Sequence, residues 1–349
     1  MGSATKFAAL NTKIQALSGR LLTDKDYNSL LDALTVNELL GYLKEHSQYK
    51  GLFTDIGVGE LSIEKLEVRL KKYLIEVHEK LIYYTKGVYK DIFKLFFVRS
   101  EIEDLKIYLR YFVRGQDLSK LESLVVTKGK RSNLDYESLN QATSIEDFVE
   151  KLKGTRYYRI LKLYVKEEPK KILFYMEMNL DRIYFKSLME LVLTLPDEEK
   201  KPVMKSLGHN IDFLNFQWIY RGLKFYKVSP EELLNYTLGQ GFYLKYELLK
   251  DYCYTEDAEE LLDKMRQSKY GLLLENTVGI ERFLEIEMER YVFRDVKEGD
   301  KNSKFNILKA IYFIHRVEYE MRDIFTIIEA KRYHLEREEI KKYLIKEIL

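Results

Sequence analysis

Apolar positions recur along almost the whole chain at steps of three and four. Between Leu61 and Tyr84 they fall at Ile63, Leu66, Leu70, Tyr73, Leu74, Val77, Leu81 and Tyr84. Lys65, Glu67, Arg69, Lys71 and Lys72 take much of the opposite side. Such steps keep one apolar stripe on a helix of 3.6 residues per turn. The same spacing predicts long helices over 170–195, 280–296 and 305–333, and short ones over 24–34, 37–44, 145–153 and 258–266. Alternation with a period of two is not sustained, and Val125-Val126-Thr127 is too short to carry a sheet. The expected fold class is all-α.

Punctuation agrees. Ser229-Pro230-Glu231-Glu232 reads as an N-cap, a proline in the first helical position and a capping-box acid. Thr23-Asp24-Lys25-Asp26 is the same device with Asp for Glu. Pro196 to Pro202 is expected to end one helix and begin the next, and Gly299-Asp300-Lys301-Asn302-Ser303 to form a loop. The chain has four prolines, where an average composition would supply about 17. Long uninterrupted helices are therefore permitted.

The pattern also repeats. An acid, two residues, Asp or Asn and an apolar residue recur as Glu101-Ile102-Glu103-Asp104-Leu105, Asp212-Phe213-Leu214-Asn215-Phe216 and Glu320-Met321-Arg322-Asp323-Ile324. Six residues after each Asp or Asn come Arg110, Arg221 and, breaking the pattern, Glu329. A hydroxyl residue, a polar residue and Tyr recur as Ser47-Gln48-Tyr49, Thr155-Arg156-Tyr157 and Ser268-Lys269-Tyr270. Thr35, Thr143 and Thr255 precede those tyrosines by 14, 14 and 15 residues. All three markers share a period of about 110 residues, too long for the common helical solenoids. The expectation is three similar helical subdomains around a pseudo-threefold axis. They would span 1–115 with an N-terminal helix, 116–227, and 228–349 with a C-terminal helix. Tyr49, Tyr157 and Tyr270 would be equivalent. Bends are expected near Thr85–Gly87, Pro196–Pro202 and Lys297–Ser303, and Asn11 is placed in register with Asp104, Asn215 and Asp323.

Composition narrows the chemistry. With 46% apolar and 33% charged residues among 349, the chain can bury a core. A formal net charge of +2 lacks the basic excess of nucleic-acid binders. The single cysteine, Cys253, excludes an internal disulfide and reads as a buried, inert thiol. No apolar run reaches the roughly 18–20 residues of a membrane span, and Met1–Leu10 carries neither a secretory h-region nor a myristoylation pattern. A cytoplasmic chain is expected.

No catalytic set emerges. His46, His78, His209, His315 and His334 show no metal-ligand spacing and read as surface or half-buried helix residues. Gly57-Val58-Gly59 and Gly239-Gln240-Gly241 lack the strand-to-helix setting of a phosphate cradle and read as loops. Lys128-Gly129-Lys130-Arg131 reads as a solvated basic turn. Arg110 and Arg221 have two readings. One is the completion of helix C-termini, the other a ring of positive charge at one end of the body. The aromatic stripe Tyr83, Tyr84, Phe93, Phe96, Phe97, Tyr108, Tyr111 and Phe112 reads as helix-packing core.

Phe7-Ala8-Ala9-Leu10-Asn11-Thr12-Lys13-Ile14, followed by Leu21-Leu22-Thr23, resembles the N-terminal helix of the C subunits of archaeal and bacterial V-type (A-type) ATPases, relatives of the eukaryotic d subunits. The threefold period, the absence of strands, the Tyr markers and the closing Ile327-Ile328-Glu329-Ala330-Lys331 are similar as well. The resemblance implies a funnel-like, wholly helical, non-catalytic rotor connector of a V-type ATPase/ATP synthase. Its partners would be central stalk subunits and the membrane proteolipid ring, with no nucleotide, cofactor, metal or nucleic acid, and it would transmit torque for proton or sodium transport. It would be cytoplasmic and peripheral to the membrane through the complex. The resemblance carries over no catalytic residues and marks no contact residues. Two other readings fit the residues: a helical adaptor or scaffold subunit of another complex, and a helical enzyme with a site assembled from dispersed Asp, Glu and His.

Overall fold

A computed structural model describes residues 3–53, 63–129, 132–274, 280–301 and 307–348. The N-terminal part carries α1 (Ser3–Ser18), α2 (Asp24–Asp32), α3 (Val36–His46), the single turn α4 (Lys50–Phe53) and α5 (Ile63–Ile82). The middle carries α6 (Gly87–Val113), α7 (Tyr136–Asn140), α8 (Ile145–Lys151), α9 (Tyr158–Leu161), α10 (Pro169–Leu193), α11 (Asp197–Arg221), α12 (Pro230–Tyr236), α13 (Tyr246–Cys253) and α14 (Ala258–Arg266). The chain closes with α15 (Ile280–Lys301), α16 (Leu308–Arg332) and α17 (Arg337–Lys342). Among the described residues there is no strand, and the fold is all-α as expected.

Two expected boundaries are corrected. α15 runs through Gly299 and Asp300 to Lys301, because one glycine costs a helix only about 1 kcal/mol. Asn302 and Ser303, the rest of that expected loop, lie outside the described residues, as do Gly57-Val58-Gly59 and Lys130-Arg131. Pro202 does not open a helix. The turn is at Thr194–Pro196, and the Pro196 carbonyl accepts from Glu199 and Lys200 at 2.9 and 2.7 Å, leaving Pro202 inside α11.

The chain forms two compact units. One joins residues 1–86 to 276–349. In it α16 packs against α1, α3, α5 and α15, and α17 against α2. Leu39, Leu43, Phe53, Leu81, Ile324 and Ile327 are fully buried there. The other unit is 87–275, built on the long pair α6 and α10, with α11 folded back on α10. Leu105, Tyr108, Phe148, Leu152, Met176 and Leu180 fill its core. A buried charge cluster crosses α6 and α10: Lys106 Nζ lies 2.6 Å from Asp181 and 2.9 Å from Glu103. The limits at 115 and 227 read from the sequence period are not the limits of these two units.

The aromatic stripe largely packs inward. Phe93, Phe96, Phe97 and Tyr108 are buried, while Tyr83 is 80% exposed. Capping explains the local starts. Ser229 Oγ accepts from Glu232 N–H at 3.3 Å, and Thr23 and Asp26 cap each other.

Candidate functional site

The three tyrosine markers share one local geometry. Tyr49, Tyr157 and Tyr270 are each almost wholly buried. Each backbone N–H donates to the hydroxyl two residues before it: Ser47 at 3.1 Å, Thr155 at 3.3 Å and Ser268 at 3.0 Å. Those hydroxyls in turn donate to the carbonyls of Leu43, Leu152 and Met265. The motif is thus a turn that terminates α3, the α8 segment and α14 while aiming a phenol inward.

Each phenol meets a long helix. Tyr49 donates to Glu320 on α16, and Tyr157 to Glu101 on α6 at 2.5 Å. Tyr270 donates to Asp212 on α11 at 2.7 Å and touches His209 Nδ1 at 2.7 Å. A phenol has one proton. With that proton on the carboxylate, His209 Nδ1 is the donor to the phenol oxygen.

Three residues after Glu101, His209 and Glu320 stands an aspartate that holds two consecutive backbone N–H groups. Asp104 accepts from Val126 and Thr127 at 3.1 and 2.9 Å. Asp212 accepts from Tyr243 and Leu244 at 2.7 and 3.1 Å. Asp323 accepts from Ile345 and Lys346 at 2.7 and 3.1 Å. Tyr136 and Tyr27 add their hydroxyls to Asp104 and Asp323 at 3.2 and 3.1 Å.

This corrects the register of the middle copy. Asp212, not Asn215, matches Asp104 and Asp323, and Asn215 instead exchanges bonds with the backbone of Leu238. The first position tolerates Glu or His, because either can hold a phenol. Asn11 does not belong to the set: it is buried on α1, and among the described residues its side-chain amide has no hydrogen-bond partner. The threonine marker shifts too. The N-caps are Thr35, Ser144 and Asp257, and the expected set holds only the first of them. Beside each cap, the N–H of Leu34, Thr143 or Glu256 donates to Glu38, Asp147 or Glu260 at 2.8, 3.0 and 2.6 Å.

Burial governs the electrostatics. Desolvation pushes Asp104 and Asp212 above their ordinary value against the pull of their hydrogen bonds. It pushes Glu320 up to about 7 and Asp323 up to about 6. With their oxygens already engaged by backbone and phenol donors, these carboxylates act as fasteners.

Arg110 and Arg221 both rest on α10. Arg110 Nε pairs with Glu177 of α10 at 2.6 Å, and the Arg221 guanidinium lies 5.8 Å from the Phe174 ring on the same helix. The shift in register also removes their equivalence. Two of the five histidines, His78 and His209, are fully buried, deeper than the surface or half-buried placing expected. Among the described residues no group of His, Cys, Asp and Glu could hold a metal. Gly239-Gln240-Gly241 lies in the loop that runs on to Tyr243 and Leu244, whose N–H groups Asp212 holds, and Cys253 is buried.

Two cavities lie over the tyrosine sites. One of about 540 Å³ sits beside Glu101 and Tyr157, with Lys94 and Arg156 on its wall. The other, of about 460 Å³, sits over Glu320 and Asp323.

A family model described as ATP synthase (C/AC39) subunit matches residues 10–343. The chain is 25% identical to the C subunit of the A-type ATP synthase of Methanocaldococcus jannaschii, over 97% of this chain and 86% of that one. It is 24% identical to the counterpart from Methanosphaera stadtmanae, over 96% and 86%. It is 23% identical to the counterpart from Archaeoglobus fulgidus, over 99% and 97%.

Proposed function

Because the chain belongs to the ATP synthase (C/AC39) subunit family, we propose that it is the non-catalytic rotor connector of such a complex. It would link the central stalk to the membrane proteolipid ring and transmit torque between them. The observation that carries this reading is similarity over nearly the whole chain to proteins named as the C subunits of A-type ATP synthases.

The structure supports a mechanical role. Helices of 25 to 27 residues are stiff struts, and α6, α10, α11 and α16 have that length. The recurring tyrosine and aspartate bonds tie each loop to a strut. Three helical units of about 110 residues about a pseudo-threefold axis remain our proposal for the arrangement. In it the residues around Tyr49 complete the unit whose strut is α16. No described helix is long and apolar enough to cross a membrane, so we place the chain at the membrane surface through its partners. Contact with the ring would then rest on many exposed charged pairs. Each is worth about 0–1 kcal/mol and is screened by salt, so high ionic strength should release the soluble part of the complex.

The test is reconstitution of the complex with and without this chain, measuring ATP hydrolysis and ion flux together. Hydrolysis without flux in its absence is the expected result. Flux that stays coupled without it would leave the chain as an adaptor of some other assembly.

A further inference from the structure

Two of the three tyrosine sites fasten one continuous stretch of chain. Asp104 and Glu101 hold residues 126–157, and Asp212 holds residues 243–270. The third fastens two separate pieces. Asp323 on α16 holds the Ile345 and Lys346 N–H groups of the C-terminal segment and the Tyr27 hydroxyl of α2. Glu320, one turn earlier, accepts from the Leu22 N–H at 2.8 Å and from Tyr49. Residues 22–49 are thus shut onto α16 and the C-terminal segment along a seam with two buried carboxyls at its centre.

The edge of the seam is held by Lys331 on the Leu31 carbonyl at 2.6 Å and by two part-exposed ion pairs, Lys346–Asp24 and Arg337–Asp32. Such pairs hold little in water. The centre therefore decides whether the seam stays closed. A cavity of about 460 Å³ opens over both carboxyls and gives water and protons a route to them.

The groups that face these carboxyls come from several elements. Tyr27, Tyr49 and Tyr73 of α5 surround Glu320, with Arg20 beside Tyr73. Lys346 of the C-terminal segment and Arg316 and Arg322 of α16 supply positive charge. α15 adds Arg290, Arg294 and Lys297 on the cavity wall, the first two engaged by Glu287 and Glu347. α5 also carries the buried His78. Against these cations desolvation still wins, raising Glu320 from 4.5 to about 7 and Asp323 from 3.8 to about 6. An opened seam returns both carboxyls to water and to their ordinary values. The closed seam then binds protons that the open one releases, so closure is favoured at low pH and weakens as pH rises towards 7.

We propose that this seam is a proton-controlled latch: protons on Glu320 and Asp323 keep α2 and α3 closed on α16, and their loss frees those two helices while the rest of the fold stays intact. The latch goes beyond the connector reading and does not depend on it.

The test is hydrogen exchange of the full chain, resolved by peptide mass, from about pH 5.5 to 8. Each rate is divided by that of the unstructured peptide at the same pH. Protection across α2 and α3 should fall at least tenfold over that range, while protection across α10 changes less than about threefold. Glu320→Gln should leave a fall of only about fourfold, the share of Asp323. Asp323→Asn should shrink the fall by about fourfold, and serves if Glu320→Gln does not fold. An equal fall across α10 would make the change global and overturn the latch. Protection of α2 and α3 that ignores pH, or an undiminished fall in both variants, would overturn it as well.

Discussion

Gly241 lies so close to Asp212 that a Cβ on it would fall 1.9 Å from the carboxylate Oδ1. The glycine is there for close approach, and its φ is not positive. Gly239, two residues earlier, has open space where its Cβ would go. Gly241→Ala must push the carboxylate away from Tyr243, Leu244 and Tyr270. The expected loss is about 3 kcal/mol, read from denaturant unfolding, while Gly239→Ala should stay within about 0.5 kcal/mol.

The three phenols can be compared directly. Tyr49→Phe, Tyr157→Phe and Tyr270→Phe each remove one donor, from the buried Glu320, the half-buried Glu101 and the buried Asp212 respectively. Each should destabilise by about 1–3 kcal/mol, and the three losses should agree within about 1 kcal/mol. Tyr83→Phe at an exposed position is the control. If one tyrosine proved as indifferent as Tyr83, the three sites would not be doing the same job.

Glu320 predicts a pH dependence. Burial raises it from 4.5 to about 7, although Tyr49, the Leu22 N–H, Lys346 and Arg316 pull the other way. Between about pH 4.5 and 7 the folded chain keeps a proton that the unfolded chain has lost. Stability should therefore fall as pH rises through that window, by about 3 kcal/mol from this group, and level off above it. Asp323, raised from 3.8 to about 6, should act in the same direction between those values. Urea melts at intervals from about pH 4.5 to 8 measure the slope. Glu320→Gln should remove the Glu320 share, and an unchanged slope in that variant would assign the effect elsewhere.

Cys253 should be chemically silent while the protein is folded. It is fully buried, and burial pushes its thiol up to about 12. A colourimetric thiol reagent at about pH 8 should label less than roughly one tenth of the native protein in the time that fully labels it in guanidinium. Rapid native labelling would mean that α13 opens easily.

Much of this architecture is written locally. The helical period, the Ser229 and Thr23 caps and the hydroxyl-polar-tyrosine turns depend on residues within a few positions of one another. Sequence pattern reads such relations well. The register of the middle copy was not legible, because His209 replaces a glutamate by a different chemistry. A search for acids then begins at Asp212, three residues late. The threonine marker failed for a similar reason: Thr, Ser and Asp cap helices almost interchangeably, so Thr35, Ser144 and Asp257 carry no shared letter. Nor could local pattern show that Arg110 spends its charge on Glu177, or that Tyr49 finds its acid on α16.

That last pairing has a consequence for biosynthesis. Tyr49 and Glu320 are 271 residues apart in the chain. At a synthesis rate of roughly 5–20 residues per second, the segment around α2 and α3 waits roughly 15–55 s on the ribosome before its acceptor emerges. During that interval Leu30, Leu39 and Leu43, all buried in the finished protein, have no α16 to cover them. The middle unit, by contrast, can close as soon as Tyr270 has been made. A nascent chain of this protein should thus present its earliest helices to chaperones longest, and should fold from the middle outward.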